Sequence, residues 1–541
     1  MPDSRGRYVP LDIDSNGHAH APPTNIFNLA TLARLKRRPL LALGGITLVV
    51  IAILHSTLLN LPPSGASSDR ATILRDLAAP LGAHETKDED GETTYIVGQH
   101  HAVSGDFPED YEWIDPYSRK PFNEITYTNG MNNNAMGRMP AGSPYDMLVI
   151  GRGRNDRYMD PQEGIEYLNL TVVGRGGGRA GPEPYVLDLP VWRQFPRPCQ
   201  NLVNGGAADP RFIWSDAGEP LAVIGTSSRV EGVCKAVGLV DLRAAWPALK
   251  DHLREIGYGD IPIKFDTFTE VGRTGSREKY EKNWAPFFAG PSPAEQQQHQ
   301  PPWWRWWPDL KPSRGEEGLP ASVWPYFASM VHPRNIVRVD PALDTSSRAN
   351  DSYVLGEDID LALPGADGDG ARAQADSACL VDSLPHAWKS DMLHQATPFY
   401  RVTLCHRGSC VPSRQNTVLL GLIHYKRSRR SYRRMFVTMS VDEPFEILSV
   451  SPPLHFGSAE SDKDVVFSVS MAFLPTKKLP ELAEDESPFL ESRETPGGYL
   501  GHGWLDDTLV VGAGLRDEVY DAVHLPVVDA LRGHTLCSSP T

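Results

Sequence analysis

Asp209 and Arg211 flank Pro210 at the head of Asp-Pro-Arg-Phe-Ile-Trp, so a carboxylate and a guanidinium stand where a strand signal begins. Arginine offers a planar fork of donors to hydroxyls or phosphate, and a carboxylate beside it can move a proton. The pairing suits a polar sugar site. Taken alone it is also the pattern of an Asp-Pro turn with a structural arginine. Other groups of the same chemical kind follow at intervals. Lys282 and Asn283 lie in Lys279-Tyr-Glu-Lys-Asn-Trp, and His424 lies in Leu419-Leu-Gly-Leu-Ile-His-Tyr-Lys. Tyr432, Arg433 and Arg434 end a basic run that starts at Lys426, and Asp517 follows Leu509-Val-Val-Gly-Ala-Gly. Upstream, Arg152 ends Val149-Ile-Gly-Arg. The cations are of the kind that hold phosphate charge. The basic run is equally a solvated hairpin turn, and a histidine placed like His424 is more often a packed strand residue than a catalytic one.

The elements that must position these groups read as short strands. Apolar or alternating runs of four to eight residues recur from about residue 106, punctuated by Gly, Pro, Asn and Asp. Convincing helices are few; 242–256 is the clearest, with a short one near 523–531. Strand and helix do not alternate, which excludes a doubly wound parallel sheet. Many short strands suit a β-propeller, which closes radially. Two stretches break the pattern as surface insertions. Residues 291–312 carry Trp303-Trp-Arg-Trp-Trp, either a sugar-stacking platform or a loop folded on itself. Residues 362–377 are rich in Ala, Gly and Asp.

Residues 40–61 contain no Asp, Glu, Lys or Arg, and roughly 20 apolar residues span a bilayer. Arg34-Leu-Lys-Arg-Arg precedes this run and Pro62-Pro-Ser-Gly follows it, so the positive side faces the cytosol. The expected layout is type II. It has a cytoplasmic tail (1–38), a transmembrane anchor (39–61), a solvated stem (62–105) and a lumenal domain (106–541). A cleaved signal peptide is the rival reading, but its apolar core is shorter and nearer the terminus. The net charge of −15 argues against nucleic acid as a partner. All six cysteines lie beyond the anchor, an even number on an oxidising side, with Cys405 and Cys410 the best pair. Asn169-Leu-Thr and Asn350-Asp-Ser are glycosylation tripeptides. Asp506-Asp507 imitates a metal-binding carboxylate pair without the α/β context such a pair needs. No metal and no cofactor is expected.

In their order along the chain, these motifs resemble those of the mannoside phosphorylases and hydrolases of glycoside hydrolase family 130, and of the β-mannosyltransferases related to them in fold. The resemblance spans about residues 130–531. It implies a five-bladed β-propeller with Arg152, Asp209, Arg211, Lys282, Asn283, His424, Tyr432, Arg433 or Arg434, and Asp517 at the substrate. Ala208 stands where the family often has Glu, and Leu-Val-Val-Gly-Ala-Gly replaces a Tyr-rich strand. A membrane anchor on a stem is the layout of a Golgi glycosyltransferase, and fungal β-mannosyltransferases share it. The expectation is therefore inverting transfer of mannose from GDP-mannose to a glycan acceptor, with Asp209 as base. The alternatives are a membrane-anchored β-mannoside hydrolase or phosphorylase and a non-catalytic carbohydrate-binding propeller.

Overall fold

The structure is a computed structural model. It describes chiefly residues 70–78, 84–87, 93–97, 99–104, 131–140, 147–153, 168–173, 185–187, 208–273, 278–289, 325–332, 334–339, 353–358, 378–384, 393–407, 409–410, 412–426, 432–456, 466–474, 500–515 and 519–537. They belong to one compact unit, residues 68–541.

The unit is mainly β. Among the described residues the strands fall into successive antiparallel meanders of four. The first runs Met131–Arg138, Met147–Gly153, Leu168–Val173 and Tyr185–Leu187. The second runs Ala208–Trp214, Pro220–Ser227, Lys235–Asp241 and Thr269–Arg273. Ala285–Phe287, Tyr326–Met330, Asn335–Val339 and Tyr353–Asp358 form the third, whose last strand pairs in parallel with Thr269–Arg273. The fourth comprises Tyr400–Thr403, Thr417–Lys426, Tyr432–Ser440 and Ile447–Val450, and Leu393–Gln395 adds to Thr417–Lys426 beside Tyr400–Thr403. Val466–Leu474, Thr508–Leu515 and Val519–Pro526 begin the last meander, and Gln99–Ser104 completes it from the other end of the chain.

The leading strands neighbour one another. Val466–Leu474 lies against Met131–Arg138, which lies against Ala208–Trp214, which touches Ala285–Phe287. Each sheet is therefore covered on both faces, which explains strands that are apolar almost throughout. Thr417–Lys426 is buried at every position but its last. Rings close the gaps where glycine leaves room; a Cβ on Gly137 would stand 1.8 Å from Phe212.

The leading strands share an irregularity near their N-terminal ends. Register shifts fall between Asn132 and Ala135, between Ala208 and Arg211, and between Phe467 and Ser470. In the fourth meander the leading edge is divided between Leu393–Gln395 and Tyr400–Thr403. Bulges of this kind re-aim side chains and free backbone groups from the ladder.

Several expectations need correction. The 62–105 stretch, expected as a stem, contains the helix Arg70–Leu77 and the strands His84–Lys87, Thr93–Ile96 and Gln99–Ser104. Two of those strands pair into the sheets of the main unit, at Leu454–His455 and Val519–Pro526. Their acidic flanks masked this on the page, since composition reports solvation and not sheet partnership. The expected helix over 242–256 is broken. Leu242–Ala245 is capped by Asp241, Pro247 restarts a helix to Leu253, and a π-turn follows. Residues 523–526 are strand, and the short helix starts at Val527. Residues 1–69, with the expected tail and anchor, lie outside the described residues, as do Trp303–Trp307 and 362–377. No helix among the described residues is long and apolar enough to cross a membrane. Disulfides join Cys405 to Cys410 as expected, and also Cys199 to Cys234 and Cys379 to Cys537.

Candidate functional site

The site is built from the irregular ends of leading strands and, in the fourth meander, from the facing ends of Thr417–Lys426 and Tyr432–Ser440. Asp209 sits on the bulge between Ala208 and Arg211, directly before Pro210, with φ at +47°. A non-glycine residue in the left-handed region costs free energy that its surroundings must offset. Asn283 occupies the same region, at φ +61°, two residues before Ala285–Phe287. Both sequence-nominated polar residues thus stand at backbone turns that lead into the first strands of consecutive meanders.

Arg211 is fully buried behind Asp209. Its Nε donates to Ala396 O at 2.9 Å and its Nη1 donates to Asp209 O at 3.3 Å, while Nη2 meets no partner among the described residues. Burial pulls the guanidinium pKa down to about 10, and the Asp209 charge opposes that shift. Arg211 stays charged at neutral pH.

His424 lies on Thr417–Lys426 in the fourth meander. Ser468 N–H donates to its Nε2 at 3.3 Å, which assigns the proton of the neutral ring to Nδ1. That Nδ1 has no partner among the described residues, nor has Ser468 Oγ. Burial, then the charges of Arg434, His394 and Arg211, hold the ring well below the ordinary histidine range. His424 packs against both Tyr432 and Phe467, with ring centroids 5.3 and 5.0 Å away, in a cluster where those two rings also touch. Arg434 faces His424 across the ladder and donates Nη1 to Val466 O at 3.0 Å, tying the fourth meander to the last.

Alternation along a strand sends neighbours to opposite faces. Arg433, opposite Tyr425, therefore points away from His424, and Arg434 is the member of the pair on the site face. Lys282 is exposed, and its charge reaches His394. The side chain of Arg152 and the whole of Asp517 lie outside the described residues, although the backbone of Arg152 pairs with Leu168. Sequence reasoning passed over His394, Phe467 and Ser468. His394 was findable only through register, because it pairs directly with His424 from 30 residues away.

Asp506 and Asp507 serve a structural end. Arg407 donates its amide to Asp506 at 2.8 Å and its Nη2 to both Asp507 oxygens at 2.7 and 2.6 Å, which secures the Cys405–Cys410 loop. Among the described residues no group of three His, Cys, Asp or Glu could hold a metal ion.

Among the described residues the arrangement sets the Asp209 carboxylate with Arg211, Arg434, Lys282 and Lys426, with buried donors from Arg211 and His424 left open. Such a set suits an anion with a hydroxyl-bearing neighbour: the donors face negative charge, and the carboxylate accepts a proton.

No family model and no curated protein matches the chain. Among solved structures it is similar to a glycosyl hydrolase from Bacteroides ovatus, at 11% identity over 82% of this chain and 96% of that one, with a TM-score of 0.36. It is also similar to a GDP-Man-dependent mannosyltransferase from Leishmania mexicana, at 10% identity over 80% and 90% of the two chains and a TM-score of 0.33. A β-1,2-mannobiose phosphorylase from Listeria innocua gives 11% identity, 79% and 98% coverage and a TM-score of 0.34. At these identities and scores the likeness carries no argument about activity, which rests on the site itself.

Proposed function

We propose that the chain is a carbohydrate-active enzyme on a closed five-bladed β-propeller, and that it transfers mannose from a nucleotide donor, GDP-mannose, to a glycan acceptor with inversion. The observation that carries the reading is the meeting of the left-handed Asp209 with the buried, partly unpartnered donors of Arg211 and His424. In the step, the acceptor hydroxyl oxygen attacks the anomeric carbon. The bond from that carbon to the diphosphate oxygen breaks, and its electron pair leaves with the diphosphate. The hydroxyl proton passes to Asp209. Arg211, Lys282 and Arg434 offset the charge that develops on the leaving group. No cofactor is required beyond the donor.

The test is transfer of labelled mannose by the full-length chain in detergent. Asp209→Asn is expected to lower turnover by about 10²–10⁴-fold, the usual worth of a general base. Undiminished transfer by Asp209→Asn would remove Asp209 from this role. A phosphorylase reading is favoured by one observation: the same open donors fit inorganic phosphate. It gains if the wild type consumes a β-mannoside only with phosphate present and ignores every nucleotide sugar.

The same reading places the catalytic unit in the lumen of a secretory-pathway membrane, the Golgi, with residues 40–61 as anchor. Intact vesicles should then protect the chain beyond residue 61 from added protease. Digestion of that part in sealed vesicles would refute the orientation.

A further inference from the structure

The proposed reaction does not use His394, which nevertheless borders the site's His424 and feels its cations. The residue pairs directly with His424, and His424 pairs with Arg434, so the three side chains stand in one row across three strands. Directly opposed residues carry Cβ atoms about 4.5–5.5 Å apart, and diagonal ones about 7–8 Å apart. Lys426, two residues beyond His424, is the diagonal neighbour of His394. Lys282 approaches from the segment before Ala285–Phe287, and Arg211 reaches Ala396 O, two residues along from His394. Tyr326–Met330 packs against Leu393–Gln395 from the third meander; its one titratable side chain, Tyr326, donates to Glu443 at 2.9 Å. Asp209, beside Arg211, is the carboxylate of the set.

We propose that His394 is a proton-linked positioning group: it takes up a proton when a phosphate-bearing ligand fills the site and gives it up when the ligand leaves. The inference rests on the function proposed above. Burial, then Lys426 and Lys282, hold the empty-site imidazole below the ordinary histidine range, so it starts neutral. A bound di- or trianion offsets those cations and reverses the field at the ring. The proton comes from solvent, to which the half-buried His394 has access. His424 cannot take this part. It is fully buried, and a protonated ring would lose the Ser468 N–H bond accepted by its Nε2. Among the described residues, the open donors Arg211 Nη2 and His424 Nδ1 mark independently where a ligand sits. One histidine proton per ligand makes affinity fall as pH rises, by up to about tenfold per pH unit between the free and bound pKa values. Leaving-group binding and release would thereby be coupled to the acidity of the compartment.

The experiment is calorimetric titration of the full-length chain in detergent with GDP and with inorganic pyrophosphate. It is run from about pH 6 to about pH 8, where histidine titrates, in two buffers of different ionisation enthalpy. The wild type is expected to take up a fraction of a proton on binding and to weaken as pH rises. His394→Gln should bind without that uptake, keeping only the pH dependence that the probe's own phosphate ionisation, at about pH 6, imposes on both proteins. His394→Lys, a fixed cation, should bind at about pH 8 as tightly as the wild type does at about pH 6. Binding by the wild type without proton uptake overturns the inference and leaves the proposed function standing. So does uptake that survives in His394→Gln. If the wild type binds neither probe, the phosphate-ligand reading of the site falls, and this inference falls with it.

Discussion

Asp209 and Asn283 do the same thing in neighbouring meanders: each turns the backbone left-handed just before or within the first strand. For Asp209 the turn coincides with a bulge and a following proline, so ring and bulge together hold the carboxylate where the ladder would not. Asparagine tolerates this region better than most residues, whereas alanine there is strained. Asn283→Ala is therefore expected to lower unfolding free energy by about 1 kcal/mol, and Asn283→Gly to spare most of it. Urea unfolding of the two variants measures this. Equal stability of the Ala and Gly variants would mean that the conformation at 283 is not enforced. Arg211 differs in kind, because its guanidinium is held by a tertiary bond to Ala396 O together with a local one to Asp209 O.

The strands set how closely these residues approach. Gly137 lets Met131–Arg138 lie flat on Phe212 of the next leading strand, where an added methyl would stand 1.8 Å from the ring. Overpacking of this kind costs about 1–3 kcal/mol. Gly137→Ala should lower the unfolding midpoint accordingly. Because Phe212 is one residue from Arg211, it should also weaken substrate binding. A variant as stable as wild type would show that the two strands slide freely. Buried ion pairs add specificity at the far end of the same strands. Asp216, just past Ala208–Trp214, takes both Arg401 Nη atoms at 2.7 and 2.8 Å, joining the second meander to the fourth. Removing one partner from such a pair leaves an uncompensated buried charge.

At the scale of the whole molecule, segments from early and late in the described residues are built into the same sheets. Gln99–Ser104 is the outer strand of the last meander, and the Cys379–Cys537 disulfide pins the C-terminal segment across 158 residues. The interior also holds neutral histidines. His534 accepts from Ser449 and donates to Ala530 O, with its pKa brought down to about 4 by burial. His502, bonded to Thr403, is brought down to about 3. A histidine whose folded pKa lies below its unfolded value of about 6.5 leaves the unfolded chain binding more protons in acid. Stability is complete above about pH 6.5. It falls as pH drops, by about 1.4 kcal/mol per pH unit for each such histidine, until its folded pKa is reached. Asp241, Asp507 and Asp529, raised by burial, oppose this trend at lower pH. Thermal midpoints between about pH 7 and about pH 5 should therefore decline, and less steeply in His534→Gln than in wild type. An identical slope in the variant would show that His534 is not held neutral.

What the sequence determined by itself is local. Apolar runs of four to eight residues with Gly and Pro between them declared a mainly β chain, because strand periodicity and turn chemistry act over a few residues. The same locality made the Cys405–Cys410 pair readable from its spacing, and made Asp209 with Arg211 recognisable as a charged pair at a strand's start. The tertiary structure decided which of these groups meet. Strand register, and not sequence distance, brings His394 opposite His424 and puts Arg434 instead of Arg433 on the site face. Residues 93–104 look like stem by composition, yet they find sheet partners far along the chain. Asp506-Asp507 only imitates a metal pair in sequence, and the tertiary structure gives both carboxylates to Arg407. Each of these depends on contacts between segments tens to hundreds of residues apart. Side-chain types along the chain do not encode such contacts until the sheets have closed and the core has chosen the register.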